Sequence, residues 1–150
     1  MSRRRKGQTV GAIMTSNPVT VRPDTTILQL RRLFEAHDFN MFPVVDEEGV
    51  LRGVVTKLDV LKVYRPWSPG RFTVNVRALL GERVDDIMSR GLTSLTPEDP
   101  VATAVTLMVN RRLRSIPVVR RQAREPVLVG IVSRNDVLQS LPVRGPAEPS

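Results

Sequence analysis

A chain of 150 residues, 41% apolar and 25% charged, has the composition of a globular protein. That length suits one ordinary domain or two small halves sharing a core. With no cysteine it excludes disulfides, thiolate metal sites and a cysteine nucleophile, as fits a reducing cytoplasm, and its formal net charge of +8 suits an anionic partner such as nucleic acid, anionic lipid or a nucleotide.

The chain opens on MSRRRKGQTV, in which Arg3 to Lys6 are all cationic and no apolar run follows, so this stretch reads as a disordered basic arm (1–9) and not as a secretory signal. No later stretch approaches the roughly 20 apolar residues of a membrane span. VTV (19–21) reads as a short extended segment. Ile27, Leu30, Leu33 and Phe34 then recur at helical spacing, with Asp24 or Thr25 placed to cap the helix. FPVVD reads as a strand, EEG as a turn, VLRGVV as a second strand and KLDVLKVY as a short helix. RPWSPGRF, with two prolines and a glycine, marks a linker carrying Trp67. Val101, Ala104, Val105 and Met108 announce a second helix face, followed by strands IPVVR and VLVGIV and a short helix RNDVLQSL. PVRGPAEPS is a proline-rich tail.

These elements form a repeat. Residues 13–45 align without a gap on 87–119, at an offset of 74, matching Ile13-Met14 with Ile87-Met88 and Pro43-Val44-Val45 with Pro117-Val118-Val119. Three additional residues in RRQAREP raise the offset to 77, and GVVTKLDVL (53–61) then aligns with GIVSRNDVL (130–138). The organisation is an arm (1–9), a first repeat (10–64), a linker (65–81), a second repeat (82–141) and a tail (142–150). One repeat is too small to cover its own sheet, whereas two related by a pseudo-twofold axis cover each other.

The order IMT-x-x-P-V-T-V, helix, P-V-V-D, G-V-V-T-x-x-D-V-L, written twice, resembles the CBS domain, named for cystathionine beta-synthase. It spans about 130 residues as a stand-alone tandem pair. The resemblance implies an α/β fold of two β-α-β-β-α repeats packed through their sheets, with ligand clefts between them. It also implies a homodimer arranged as a four-repeat disc, and a cytoplasmic, regulatory and non-catalytic role. The implied ligand is AMP, ADP, ATP or a related adenosyl compound such as S-adenosylmethionine, sensed on behalf of a protein effector. By the same resemblance one cleft joins Ser133 and Asp136 to Asn17, Val19, Thr20, Asn40, Met41, Phe42 and Pro43. The other joins Thr56 and Asp59 to Gly91, Thr93, Ser94, Arg114, Ser115, Ile116 and Pro117. Arg114, with Arg111, Arg112 and Lys57 nearby, makes the Asp59 cleft the expected site for a charged nucleotide, against neutral Asn40 in the first.

The residues themselves leave two readings of TKLD and SRND open. Thr56-x-x-Asp59 and Ser133-x-x-Asp136 are capping boxes, which explains their repetition structurally. The same carboxylates are also placed to accept hydrogen bonds from a ribose diol. Gly53 and Gly130 serve close packing or an unusual backbone angle. His37, the single histidine, cannot assemble a zinc site alone. No nucleophile with an adjacent base is present. Two alternatives remain: a basic nucleic-acid-binding protein using Arg3–Lys6 and the six arginines of 111–124, and a structural dimerisation module with degenerate clefts.

Overall fold

The computed structural model describes residues 8–64, 66–68, 71–72 and 81–143. The cationic residues Arg3–Lys6, most of the linker and the end of the tail lie outside the described residues. The first half runs α1 (Val10–Ile13), β1 (Thr15–Ser16), α2 (Ile27–Ala36), β2 (Met41–Val45), β3 (Leu51–Thr56) and α3 (Lys57–Leu61). In the linker, β4 (Pro66–Ser68) and β5 (Arg71–Phe72) form a small antiparallel pair. The second half runs α4 (Val84–Ile87), α5 (Val101–Arg111), β6 (Ser115–Gln122), β7 (Glu125–Ser133) and α6 (Arg134–Ser140).

The two hairpins obey the expected equivalence down to their irregularities. β2 pairs with β3, and β6 with β7, antiparallel, and each ladder slips by one residue at an equivalent place, Val44/Val45 and Val118/Val119. Val21 bridges Val44 in parallel, and Leu95 bridges Val118 likewise, so each extended segment flanks its own hairpin. α2 begins one residue later than expected. Thr26, not Asp24 or Thr25, is the N-cap: its Oγ1 accepts the Gln29 N–H at 3.1 Å and Gln29 Oε1 accepts the Thr26 N–H at 3.0 Å. Glutamine three residues on completes a reciprocal box that Thr25 cannot form. Thr25 Oγ1 instead accepts the Arg22 N–H at 3.0 Å.

The halves exchange their leading segments. β1, from the first half, adds to β7 of the second to give the order β1-β7-β6. Ser89, from the second half, exchanges both backbone hydrogen bonds with Val54 of β3, at 2.9 and 3.0 Å. The short helices follow them across. Val10 and Gly11 donate N–H groups to Asp99 O and Pro97 O, both at 2.8 Å, while Val84 and Asp85 donate to Thr25 O and Pro23 O at 2.8 and 2.9 Å. Val10 is therefore buried with Val101, Ala104, Ile116 and Val132 of the second half, and Val84 and Met88 with Ile27, Leu30, Phe42 and Val55 of the first. A third cluster, Val45, Leu51 and Val119, lies between the hairpins.

Gly53 and Gly130 are explained by this crossing. A Cβ on Gly53 would stand 2.8 Å from Met88 Sδ and from Ser89 O, and one on Gly130 would stand 2.5 Å from Met14 Sδ and 2.9 Å from Thr15 O. Neither has a positive φ, so close approach of the crossing strand, not backbone conformation, demands the glycine.

Candidate functional site

Both strand-to-helix junctions fold as reciprocal caps. At the first, Asp59 Oδ2 accepts the Thr56 N–H at 2.8 Å and the Thr56 hydroxyl at 3.1 Å, while Thr56 Oγ1 accepts the Asp59 N–H at 3.3 Å. At the second, Asp136 Oδ2 accepts the Ser133 N–H at 2.8 Å, and Ser133 Oγ accepts the Asp136 N–H at 3.1 Å. The remaining oxygens differ in their surroundings. Asp59 is buried, at 7% exposure, and its Oδ1 lies 3.9 Å from Lys62 Nζ. Asp136 is partly exposed, and neither its Oδ1 nor that of Asp59 accepts a hydrogen bond among the described residues.

A cavity of about 680 Å³ opens onto Asp136. It lies within the range of roughly 300–1,000 Å³ common for small-molecule sites. Ser133, Arg134, Asn135 and Asp136 form one wall, and Thr15 of the crossing strand with Asn17, Pro18 and Val19 just after it form another. Asn17 takes the left-handed conformation, φ 53°, that turns the chain there. The third wall is Asp38, Phe39, Asn40, Met41 and Pro43. This cavity thus gathers Asn17, Val19, Asn40, Met41, Pro43, Ser133 and Asp136 of the expected set. Phe42 is fully buried in the first core and Thr20 is not on the wall. Asp38 and Phe39 were missed because they precede the strand, in a stretch whose composition marks only a loop.

Arg114 and Ser115, expected in the other cleft, line this cavity too. Arg114 Nη1 donates to Asn40 Oδ1 at 3.1 Å. These two residues are equivalent at the offset of 74, so their contact lies where the two repeats face each other. Arg134 Nε donates to Leu113 O at 2.9 Å, holding a second guanidinium at the rim. In the other expected set, Ile116 is fully buried in the second core and Pro117 is buried. The Thr93 hydroxyl accepts from Arg111 at 2.6 Å. Ser94 is exposed, and Gly91 has open space around it. Among the described residues no three His, Cys, Asp or Glu side chains converge as metal ligands, and no helix is long and apolar enough to cross a membrane.

The family model of the CBS domain matches residues 10–66 and again 84–143. The chain belongs to the CBS-domain family. A CBS domain-containing protein of Dictyostelium discoideum is 29% identical over 133 residues, covering 88% of this chain and 90% of its own. The CBS domain-containing protein YhcV of Bacillus subtilis is 32% identical over 124 residues, covering 83% and 79%. The structure of CBSX2 in complex with AMP superposes with a TM-score of 0.72 at 26% identity, covering 89% of this chain and 96% of that one. Other relatives are longer. The chain spans 32% of an uncharacterized Methanocaldococcus jannaschii protein, to which it is 31% identical over 138 residues. It spans 21% of that organism's L-aspartate semialdehyde sulfurtransferase. The expected architecture, two CBS repeats packed through their sheets, is the architecture of this chain.

Proposed function

We propose that this CBS pair is a regulatory module that binds an adenine nucleotide or a related adenosyl compound in the Ser133–Asp136 cleft. The observation that carries the reading is the contrast between two otherwise equivalent caps. Asp136 is partly exposed and lines a cavity of about 680 Å³, whereas Asp59 is buried, with Lys62 near its carboxylate. In the cleft, Asp136 would accept the ribose hydroxyls, Val19, Met41 and Pro43 would hold the base, and Arg114 and Arg134 would meet the phosphates. AMP in the similar CBSX2 structure supports the adenosyl class. The cleft's walls come from both repeats, so a ligand that binds there favours one mutual arrangement of them, which is the requirement for signalling to an effector.

The helical faces support a homodimer. Equivalent apolar grooves lie between α2 and α3, around Phe34, Val60 and Leu61, and between α5 and α6, around Met108, Val109 and Leu138. Leu58, Leu61, Val109 and Leu138 are each more than 60% exposed. A second copy would cover these faces and give the four-repeat disc. Calorimetric titration of ligand-free protein with AMP, ADP, ATP, NAD and S-adenosylmethionine tests the main reading. Saturable heat with at least one is expected, and no heat or thermal shift with any of them overturns it.

A further inference from the structure

The two helical grooves, between α2 and α3 and between α5 and α6, are lined by equivalent positions. At the repeat offsets of 74 and 77, Phe34 corresponds to Met108, Val60 to Val137 and Leu61 to Leu138. Three other positions differ: the first groove has Arg31, Glu35 and Tyr64 where the second has Val105, Val109 and Leu141. The three polar side chains form one bonded group. Arg31 Nε donates to Glu35 Oε1 at 3.1 Å, and Arg31 Nη1 donates to the Tyr64 hydroxyl at 2.9 Å. The side chains of Arg31 and Glu35 are 49% and 64% exposed, so water solvates both. Val109, at the position of Glu35, is 69% exposed, and Leu141, at that of Tyr64, is 41% exposed. The first face therefore needs polar partners from whatever covers it, and the second needs apolar contact.

A twofold dimer can join these faces in two ways: each face meets its own copy, or each meets the other. Joining unlike faces sets Arg31, Glu35 and Tyr64 against the partner's valines and leucine, and does so twice. The ion pair then loses water and gains no new partner, an uncompensated desolvation. Joining like faces avoids this. The apolar face covers itself, and each Arg31 and Glu35 meets a second Arg31 and Glu35, four charges that sum to zero and can exchange partners. Lys57 and Arg134 are equivalent and put one cation on each face, so they weigh equally in both pairings. Arg112 lines the second groove alone, but the Glu35 carboxylate of an unlike partner is already paired with Arg31.

We propose that two copies of this chain pair like against like, α2/α3 on α2/α3 and α5/α6 on α5/α6, and that the Arg31–Glu35–Tyr64 group selects against the unlike pairing. The proposal rests on the reading of these faces as a homodimer interface. The chain has no cysteine, so introduced thiols report without background. Leu61→Cys and Leu138→Cys change equivalent side chains that are 63% and 68% exposed in the chain alone, which leaves the fold intact. Light scattering under reducing conditions should find a dimer for the wild type and both variants. A short bismaleimide should then link each variant to itself, read as a dimer band on a denaturing gel. In an equimolar mixture, with one chain carrying a mass tag, only self-linked bands should appear. A mixed band overturns the like pairing. So does a failure of either variant to self-link although scattering shows a dimer. Adding Arg31→Val and Glu35→Val to both chains gives the first face the second's residues and should bring up the mixed band; its absence overturns the selecting role. A wild type that is monomeric in scattering overturns the dimer reading itself, and the proposal with it.

Discussion

Replacing Gly130 by alanine probes the crossing of the two repeats at its tightest point. The new Cβ would meet Met14 Sδ at 2.5 Å and Thr15 O at 2.9 Å. Met14 is flexible and can swing aside. Thr15 O belongs to the backbone of β1, whose pairing with Ile131 and Gly130 holds it in place, so relief requires moving the strand. Overpacking costs about 1–3 kcal/mol, and a backbone obstacle places this site in the upper half of that range. For a chain of this size each kcal/mol lowers Tm by roughly 2–4 °C, so a fall of about 4–12 °C is expected. Gly53→Ala should behave alike, because Met88 Sδ and Ser89 O both stand 2.8 Å from its Cβ position. Gly91 supplies the control, with nothing within 4 Å and no positive φ. Alanine there should leave stability unchanged or raise it by up to about 1 kcal/mol, through the unfolded chain. Thermal and urea unfolding at one fixed protein concentration, which holds any self-association constant, reads all three variants. Gly53→Ala and Gly130→Ala variants melting within about 1 °C of wild type would refute the argument, as would a Gly91→Ala variant that falls as far as they do.

Asp136→Ala should weaken an adenosine ligand by about tenfold or more, the worth of a charge-assisted hydrogen bond, whereas Asp59→Ala should destabilise the fold yet leave that affinity within about twofold; parallel titrations decide, and the opposite ranking would return the site to the Asp59 cleft. Leu61→Glu or Leu138→Glu should convert a dimer to monomers in light scattering without lowering helicity, since both side chains are more than 60% exposed in the chain alone. For Asp46, partial desolvation pushes the carboxyl up, but N–H donors from Val50 and Glu48 and the Arg52 guanidinium outweigh it and hold it below the usual carboxylate range. The folded state therefore gains stability from this group above about pH 4 and loses it as pH falls through the lowered value. Asp46→Asn should flatten the acid limb of the unfolding curve, and an unaltered limb would count against the assignment.

The repeat and the order of elements were legible because helical and strand periodicities survive in a single sequence and an offset of 74 makes each half a check on the other. The exchange of β1 and Ser89 between halves was not legible. It is a pairing of residues more than 100 positions apart for β1 and Gly130, and no local pattern encodes it. Its only trace was Gly53 and Gly130, which allow close packing or an unusual angle alike until the crossing strand is seen. Arg114 shows a second limit. Its place before β6 was legible, but it contacts its own equivalent, Asn40, where the repeats meet, and which cleft a long side chain enters there depends on tertiary geometry. Phe39 shows a third. A single aromatic residue in a loop has no period, so its exposure on the cavity wall could come only from the fold.

The duplicated T/S-x-x-D sequence answers to two demands of different strictness. Capping needs only one carboxylate oxygen and one hydroxyl, and both copies meet it with the same 2.8 Å bond to the cap N–H. Ligand binding needs the second oxygen free, a cavity in front of it and walls of suitable chemistry. Those requirements fall on residues outside the motif: Lys62 beside Asp59, Phe39 where the second repeat has Leu113, Val19 where it has Thr93. Folding therefore preserves both motifs even if only one binds, and substitutions around either copy can tune or abolish a cleft without unfolding the pair. That separation is why motif identity alone favoured neither cleft, and why the proposal for Asp136 rests on its surroundings.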